Sequence, residues 1–173
     1  MTAPLPPSPA NTELKNTPIP KGFILSHPAH LLSLGFGTGL SRFAPGTIGT
    51  LIGFPLFLIL SPLPPLLQGV VLAGLFIAGC FLCDYTGKAL GVSDHGGIVW
   101  DEIIAYAIVL KTVPFQWQWW LGAFVAFRLF DILKPWPIRW FDQRLKNGFG
   151  VMFDDLLAAL YAIITLYLCK LLP

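Results

Sequence analysis

Residues 98–110, IVWDEIIAYAIVL, place two adjacent acids, Asp101 and Glu102, in a run that is otherwise free of charge. The run is long enough for several helical turns, and Pro114 follows it as a helix breaker. A carboxylate at the centre of a bilayer costs about 2.5–3.5 kcal/mol on insertion scales, so apolar helices rarely carry one without a function. The stretch therefore predicts a helix that brings a hydrophilic site into an apolar environment.

Two further apolar runs carry acids in the same way. Residues 124–133, FVAFRLFDIL, hold Asp131, and residues 151–168, VMFDDLLAALYAIITLYL, hold Asp154 and Asp155. Clustered carboxylates are typical ligands of hard divalent cations, and Mg²⁺ binds one or two of them together with water and substrate phosphate. Adjacent acids fit Mg²⁺ better than a closed zinc cage, which needs Cys and His ligands. The predicted metal ligands are Asp101, Glu102, Asp131, Asp154 and Asp155.

The placement of the acidic pairs leaves a second explanation open. Asp101-Glu102 and Asp154-Asp155 each open a predicted helix, and negative side chains stabilise a helix N-terminus by about 0.3–1 kcal/mol. One pair alone would be equally consistent with such capping. Two pairs at the same membrane face favour a metal site.

The composition predicts a membrane protein with one domain. The chain has 173 residues, of which 55% are hydrophobic and 12% are charged, whereas a soluble domain has about 25% charged residues. Its mean hydropathy is +0.70. The alternative, a soluble helical protein, would have to bury too many apolar faces in one small core. The net charge of +2 is too small to imply a nucleic-acid partner.

The predicted fold class is all-α: a small multi-pass membrane helical bundle of four to five spans with short interfacial helices. Apolar runs between breakers predict five helices, at about 47–60, 66–84, 98–113, 117–133 and 151–172, and a short one at 28–34. A span needs about 20 residues, and the first, third and fourth helices are shorter, so four and five spans both stay open.

The N-terminal region differs from the rest of the chain. Residues 1–22 contain six of the sixteen prolines and show almost no apolar periodicity. They are predicted to form a disordered tail without chemistry, ahead of a membrane-embedded domain at 23–173.

The order of the helices brings the acids to one side of the membrane. The second and fourth predicted helices end, and the first, third and fifth begin, at the same face. Lysines and arginines gather there too, so the positive-inside rule makes this face cytoplasmic. These basic residues are Lys15, Lys21, Arg42, Lys88, Lys134, Arg139, Arg144 and Lys146.

Basic residues near the fourth predicted helix are candidate phosphate ligands. Arg128, Asp131 and Lys134 are spaced three apart and would project from nearly one helix face. They form either an ion-pair ladder or a site in which both cations meet a phosphate. Residues 135–140, PWPIRW, are stiff, aromatic and basic, so Arg139 is a further candidate, although a plain interfacial loop would look similar.

Glycines and a histidine supply further candidates. Gly46 and Thr47 start the first predicted helix, where free backbone N–H groups can bind an anion. Gly49 and Gly53, four residues apart, instead favour close packing between helices. His95, in a flexible loop on the same face, is either a proton relay or a solvated loop histidine.

Four motifs, in order along the chain, closely resemble the phosphatidylglycerophosphatase A family. They are HLLSLGFGTGLSRFAPGTIGTL at 30–51, DHGGIVWDEII at 94–104, FRLFDILKPWPIRWFD at 127–142 and GFGVMFDDLLA at 148–158. The chain departs from the family pattern at Arg42, where the family often has proline, and at Ala105, where it often has glycine. The motif positions fall on Pro45, Gly46, Thr47, Asp94, Asp101, Glu102, Arg128, Asp131, Lys134, Pro135, Pro137, Asp154 and Asp155.

The resemblance implies an integral enzyme of the bacterial inner membrane with a helical fold. It implies Mg²⁺-dependent removal of the terminal phosphate of phosphatidylglycerophosphate, a lipid of the bilayer, to give phosphatidylglycerol and inorganic phosphate. The sequence gives no indication of the oligomeric state. It also leaves open whether water attacks directly or an aspartyl-phosphate forms.

The combined prediction is a site at the cytoplasmic face with two sets of residues. The predicted catalytic residues are Asp94, Asp101, Glu102, Asp131, Asp154 and Asp155. The predicted phosphate-binding residues are Arg128, Lys134, Arg139, Gly46 and Thr47. The alternative function is a small membrane transporter of a cation or phosphate, which would need acids at mid-bilayer depth or on both sides.

Overall fold

A computed structural model describes Lys15 and residues 17–171 of the chain. Within these residues the regular secondary structure is entirely helical, without a strand, as the apolar periodicity predicts. Of the predicted tail, residues 1–14 and 16 lie outside the described residues, as does residue 172 at the end of the last predicted helix.

Eight α-helices and one 3₁₀ segment make up the described chain. In chain order they are α1 (Phe23–Ser26), α2 (Pro28–Ser33), the 3₁₀ segment (Gly35–Leu40), α3 (Pro45–Leu60), α4 (Pro65–Leu90), α5 (Trp100–Thr112), α6 (Trp117–Leu133), α7 (Ile138–Arg144) and α8 (Gly148–Leu171).

The observed helix boundaries agree best with prediction where proline sets them. Helix α6 has the predicted bounds because Pro135 follows it closely. Helix α4 instead continues six residues past the predicted end at Asp84 and stops at Gly91, whose φ of 77° suits a left-handed C-terminal cap.

The start of α8 corrects one expectation about the acids. The helix begins at Gly148, three residues before the predicted start, so Asp154 and Asp155 lie in its second turn and not at its beginning. The helix-capping explanation therefore does not apply to this pair, since the effect fades beyond the first turn.

Helix α5 lies at the centre of the bundle and packs against α3, α4, α6 and α8. Nine of its thirteen residues are buried, so it forms the core and exposes little apolar surface. Helix α3 approaches it closely at two glycines. A Cβ atom on Gly49 would lie 2.5 Å from Val99 Cβ, and one on Gly53 would lie 2.7 Å from the backbone oxygen of Ile103. These contacts support the packing role expected of the two glycines.

Two helices of the described chain are long and apolar enough to cross a membrane, by length and composition. They are α4, with 26 residues and a mean hydropathy of 2.3, and α8, with 24 residues and a mean hydropathy of 1.8. Helix α4 also turns large apolar side chains outward, with Leu66 81% and Phe81 73% exposed. The shorter α3, α5 and α6 do not meet this length, so the observed fold carries two candidate spans where four to five were expected.

Contacts between helix ends show that the acids share one end of the bundle. The Gly148 N–H at the start of α8 donates to Asp84 Oδ1 near the end of α4, at 3.2 Å. The start of α3 meets the start of α5 where Gly46 contacts Glu102. The end of α6 joins the same group through Arg128, whose Nη1 lies 3.5 Å from Glu102 Oε1 on α5. We call this the acidic end of the bundle.

Candidate metal centre

Three carboxylates from two helices converge at the acidic end. Oxygens of Asp101, Glu102 and Asp155 all lie within 4.8 Å of one another. Asp101 and Asp155 are 8% and 2% exposed. We call these three residues the inner cluster. The structure thus brings Asp155 of the second predicted pair to Asp101 and Glu102, whereas its neighbour Asp154 lies outside this tight group.

The inner cluster is short of hydrogen-bond donors. Buried oxygens without a partner among the described residues are Asp101 Oδ1, Glu102 Oε2, Asp154 Oδ1 and Asp155 Oδ2. Buried carboxylates without partners are costly unless a cation or a proton compensates them. Hard oxygen ligands that share one small volume fit a divalent cation such as Mg²⁺, and these residues could hold one.

Arg128 is the basic residue of this site and connects it to α6. Its Nη1 lies 2.5 Å from Asp131 Oδ2, 3.5 Å from Glu102 Oε1 and 3.4 Å from Thr50 Oγ1. The buried Thr50 hydroxyl donates to the Gly46 oxygen at 2.7 Å. Asp131 is therefore held by Arg128 beside the inner cluster and is not part of its tight group.

Thr50 was not among the site residues predicted from the sequence. A threonine five residues after the start of a helix has no distinguishing pattern, because an ordinary helix packing position looks the same. Only its contact with Arg128 reveals its place in the site.

The first turn of α3 abuts the carboxylates because Gly46 has no side chain. A Cβ atom there would clash with Glu102 Oε1 and would lie 3.2 Å from Arg128 Nη1. Pro45 is the first residue of the helix, and Ala44 before it has φ 42°, so the chain turns sharply into α3. N–H groups in the first turn of a helix lack intrahelical partners, which keeps Gly46 and Thr47 as candidate anion ligands.

Lys134 belongs to a second charged group. It is the residue after α6, with φ 41° and ψ 63°, so it leaves the helical face that Arg128 and Asp131 share. Its Nζ pairs with Asp154 Oδ2 and lies 3.2 Å from Asp142 Oδ1. Burial lowers the pKa of Lys134, but the carboxylates of Asp154 and Asp142 more than offset this and raise it. We call Lys134, Asp142 and Asp154 the lysine-bridged group.

The predicted single row of Arg128, Asp131 and Lys134 is thus divided between two groups. Arg128 pairs with Asp131 as an ion-pair ladder would, whereas Lys134 turns to other helices. Asp142, on α7, was not predicted, since one acid in a polar segment gives no signal of its partner. Arg139 is exposed on α7 and forms no ion pair with the described residues.

Asp94 lies in the loop before α5 and pairs with Lys15. Burial raises the pKa of Asp94, but the neighbouring Lys15 ammonium group more than offsets this and lowers it. His95 is held on both ring nitrogens: Nε2 lies 3.0 Å from the Thr17 oxygen, and Nδ1 accepts from the Gly97 N–H at 3.0 Å. Burial lowers the pKa of His95. These contacts favour a structural role for His95 over both a relay and a solvated position.

The fold and the site together define a class: an all-helical protein with two helices suited to cross a membrane and a buried carboxylate centre at one end of the bundle. The model of the family described as phosphatidylglycerophosphatase A matches residues 31–170. The chain therefore belongs to the phosphatidylglycerophosphatase A family, as its motifs indicate.

Curated relatives agree with this assignment. The chain is 50% identical over 155 residues to phosphatidylglycerophosphatase A of Haemophilus influenzae, covering 88% of this chain and 94% of that protein. It is 47% identical over 145 residues to phosphatidylglycerophosphatase A of Escherichia coli, covering 83% and 84%. It is 36% identical over 148 residues to a Bacteroides thetaiotaomicron protein provisionally named as a phosphatidylinositol-3-phosphatase, covering 81% and 92%. No solved structure matches the chain.

Proposed function

We propose that this protein removes the terminal phosphate of phosphatidylglycerophosphate, giving phosphatidylglycerol and inorganic phosphate. Family membership and the names of the two bacterial relatives support this reaction. The observation that carries the proposal is the meeting of Asp101, Glu102 and Asp155 around one small volume, with buried oxygens that lack partners.

We assign a Mg²⁺ site to the inner cluster, with Asp131 and Asp154 beside it. The assignment is supported by the orphaned carboxylate oxygens, since hard oxygen ligands are those that Mg²⁺ prefers. When bound, the ion supplies Lewis acidity toward phosphate oxygens and lowers the pKa of water. Asp94, in the loop that precedes α5, stays a predicted catalytic residue.

Arg128 is the residue that would stabilise the negative charge that develops on the phosphate oxygens during the reaction. Its buried Nε has no hydrogen-bond partner among the described residues, which leaves a donor for a phosphate oxygen. Asp131 and Thr50 fix the other end of the guanidinium, so the donor is oriented before substrate binds. The backbone N–H groups of Gly46 and Thr47, in the first turn of α3, stay predicted anion ligands. Lys134 and Arg139 stay predicted phosphate ligands. Lys134 could bind a phosphate only if its ammonium group leaves Asp154.

For the membrane arrangement we propose a multi-pass domain at 23–173, in which α4 and α8 cross the bilayer and the shorter helices complete a bundle of four to five membrane helices. The acidic end would face the cytoplasm of a bacterium at its inner membrane, because lysines and arginines concentrate there. The substrate's acyl chains would stay in the bilayer and its headgroup would enter at this end.

Phosphate release from the full chain in detergent micelles tests the function directly. Phosphatidylglycerophosphate should be hydrolysed with Mg²⁺ and not with EDTA. Parallel assays with phosphatidic acid, lysophosphatidic acid and phosphatidylinositol 3-phosphate define the headgroup preference. A transporter would release no phosphate from any of them, and it is disfavoured because the carboxylates gather at one end of the bundle.

A further inference from the structure

A short N-terminal segment, Lys15 with residues 17–19, lies across the loop that precedes α5. Lys15 contacts this loop twice. Its Nζ pairs with Asp94 Oδ2, and its backbone oxygen accepts a hydrogen bond from the Gly96 N–H at 2.9 Å. The side chain and the main chain of Lys15 therefore each hold one residue of the loop, Asp94 and Gly96.

Two further contacts continue the same arrangement. The Nε2 of His95, whose ring is buried, donates to the Thr17 oxygen at 3.0 Å. Ile19 packs directly on Gly97, where a Cβ atom would lie 2.7 Å from Ile19 Cδ1. Four consecutive loop residues, 94–97, thus each have a partner in the N-terminal segment.

The loop leads straight into the site. Asp101, a member of the inner cluster, follows Gly97 by four residues, and the intervening Ile98 and Val99 are buried. Asp94 itself lies seven residues before Asp101, at the start of the loop that carries the chain into α5. Any shift of the loop would move Asp94 relative to the inner cluster.

We propose that Lys15 is a positioning residue of the phosphatase: its ammonium group holds Asp94 and the loop 94–97 in place ahead of α5, the helix that carries Asp101. Lys15 precedes residue 31, where the match to the family model begins. It also lies in the region for which the sequence predicted no chemistry. The inference rests on the proposed function for its catalytic readout.

Steady-state kinetics of three variants in the full chain test this role. Lys15→Ala should lower kcat about fivefold while KM stays nearly constant, because a partly exposed ion pair contributes up to about 1 kcal/mol. Lys15→Arg keeps the positive charge and should restore most of kcat. Lys21→Ala is the matched control, since Lys21 is an exposed lysine of the same region, and it should behave as wild type.

Two kinetic results would overturn the inference in an active enzyme: wild-type kcat in Lys15→Ala, or an equal defect in Lys15→Arg. If the wild-type chain releases no phosphate, the proposed function fails, and amide exchange decides the inference by itself. The Gly96 N–H should then exchange several-fold faster in Lys15→Ala than in wild type or Lys21→Ala. Equal exchange in all three proteins would contradict the positioning role.

Discussion

The inner cluster and the lysine-bridged group lie at the same end of the bundle but differ in charge balance. In the lysine-bridged group, Lys134 pairs with both Asp142 and Asp154, and Lys146 lies 3.9 Å from Asp142. At the inner cluster, Arg128 lies 3.5 Å from Glu102 and is already paired with Asp131. The lysine-bridged group is therefore nearly neutral, whereas the inner cluster has an excess of negative charge.

The difference in charge balance separates acids that are paired within the protein from acids that could bind an external cation. In the lysine-bridged group, ion pairs with Lys134 compensate Asp142 and one oxygen of Asp154 and connect α7 to α8. Each of the three residues of the inner cluster has a buried carboxylate oxygen without a partner among the described residues, so this cluster could hold an external cation. Substitutions in the two groups should therefore have different consequences.

The largest effect is expected from Asp155→Asn. Removing one ligand of the inner cluster should lower Mg²⁺-dependent phosphate release by about a thousandfold, as the loss of a metal ligand removes several kcal/mol of transition-state stabilisation. The fold should persist, because the change also relieves like-charge repulsion. Thermal unfolding in EDTA checks this: Tm should be equal to or above that of wild type. Activity within tenfold of wild type would exclude Asp155 as a ligand.

Gly46→Ala should lower kcat by about a hundredfold, since small displacements of reacting groups have effects of that size. The added Cβ would displace Glu102 and crowd Arg128. Gly74→Ala is the matched control, because a Cβ atom there meets no other heavy atom within 4 Å. The control should keep full activity and gain about 0.5–1 kcal/mol of stability from better helix propensity. Similar kinetics for both variants would show that α3 does not shape the site.

Arg128→Lys tests whether the fork of the guanidinium matters beyond its charge. Lysine keeps the charge but cannot hold Asp131 and donate to a phosphate at the same time, so kcat/KM should fall about tenfold. Arg128→Gln should lower kcat/KM further than Arg128→Lys does, because the positive charge is lost as well. Equal activity of the Lys variant and wild type would limit Arg128 to simple charge compensation.

The smallest effect is expected from Asp142→Asn in the lysine-bridged group. Lys134 keeps its pair with Asp154, so phosphate release should change by about threefold or less. The apparent affinity for Mg²⁺, measured by titration of activity, should stay near the wild-type value. A loss comparable to that of Asp155→Asn would mean that the two groups act as one site.

The helices were predictable where local chemistry marks their ends. Pro114 and Pro135 limit α5 and α6, and the observed bounds lie within two residues of the prediction. The start of α8 was missed although the chain carries a signal for it. The side chain of Asn147 accepts from the Gly150 N–H at 2.9 Å, which is an N-terminal cap. Reading Asn147 as a cap would have placed Asp154 and Asp155 inside the helix.

The sequence was enough to predict which acids belong to the candidate site, but not which basic residue each acid pairs with. Asp101, Glu102 and Asp155 stand out because carboxylates in apolar runs need a reason. The division of Arg128 and Lys134 between two groups did not follow from their spacing. Lys134 leaves the helix in a left-handed conformation, and periodicity describes only residues that stay helical.

By itself the sequence determined the helical class, the acids at the ends of apolar segments and the family, since these depend on composition, periodicity and motifs within short stretches. Only the tertiary structure decided which carboxylates meet, which cation each one faces, and that Lys15 returns to Asp94. Those facts depend on distances between residues far apart in the chain. Such distances are set by how α3, α5, α6 and α8 pack, which no local pattern records.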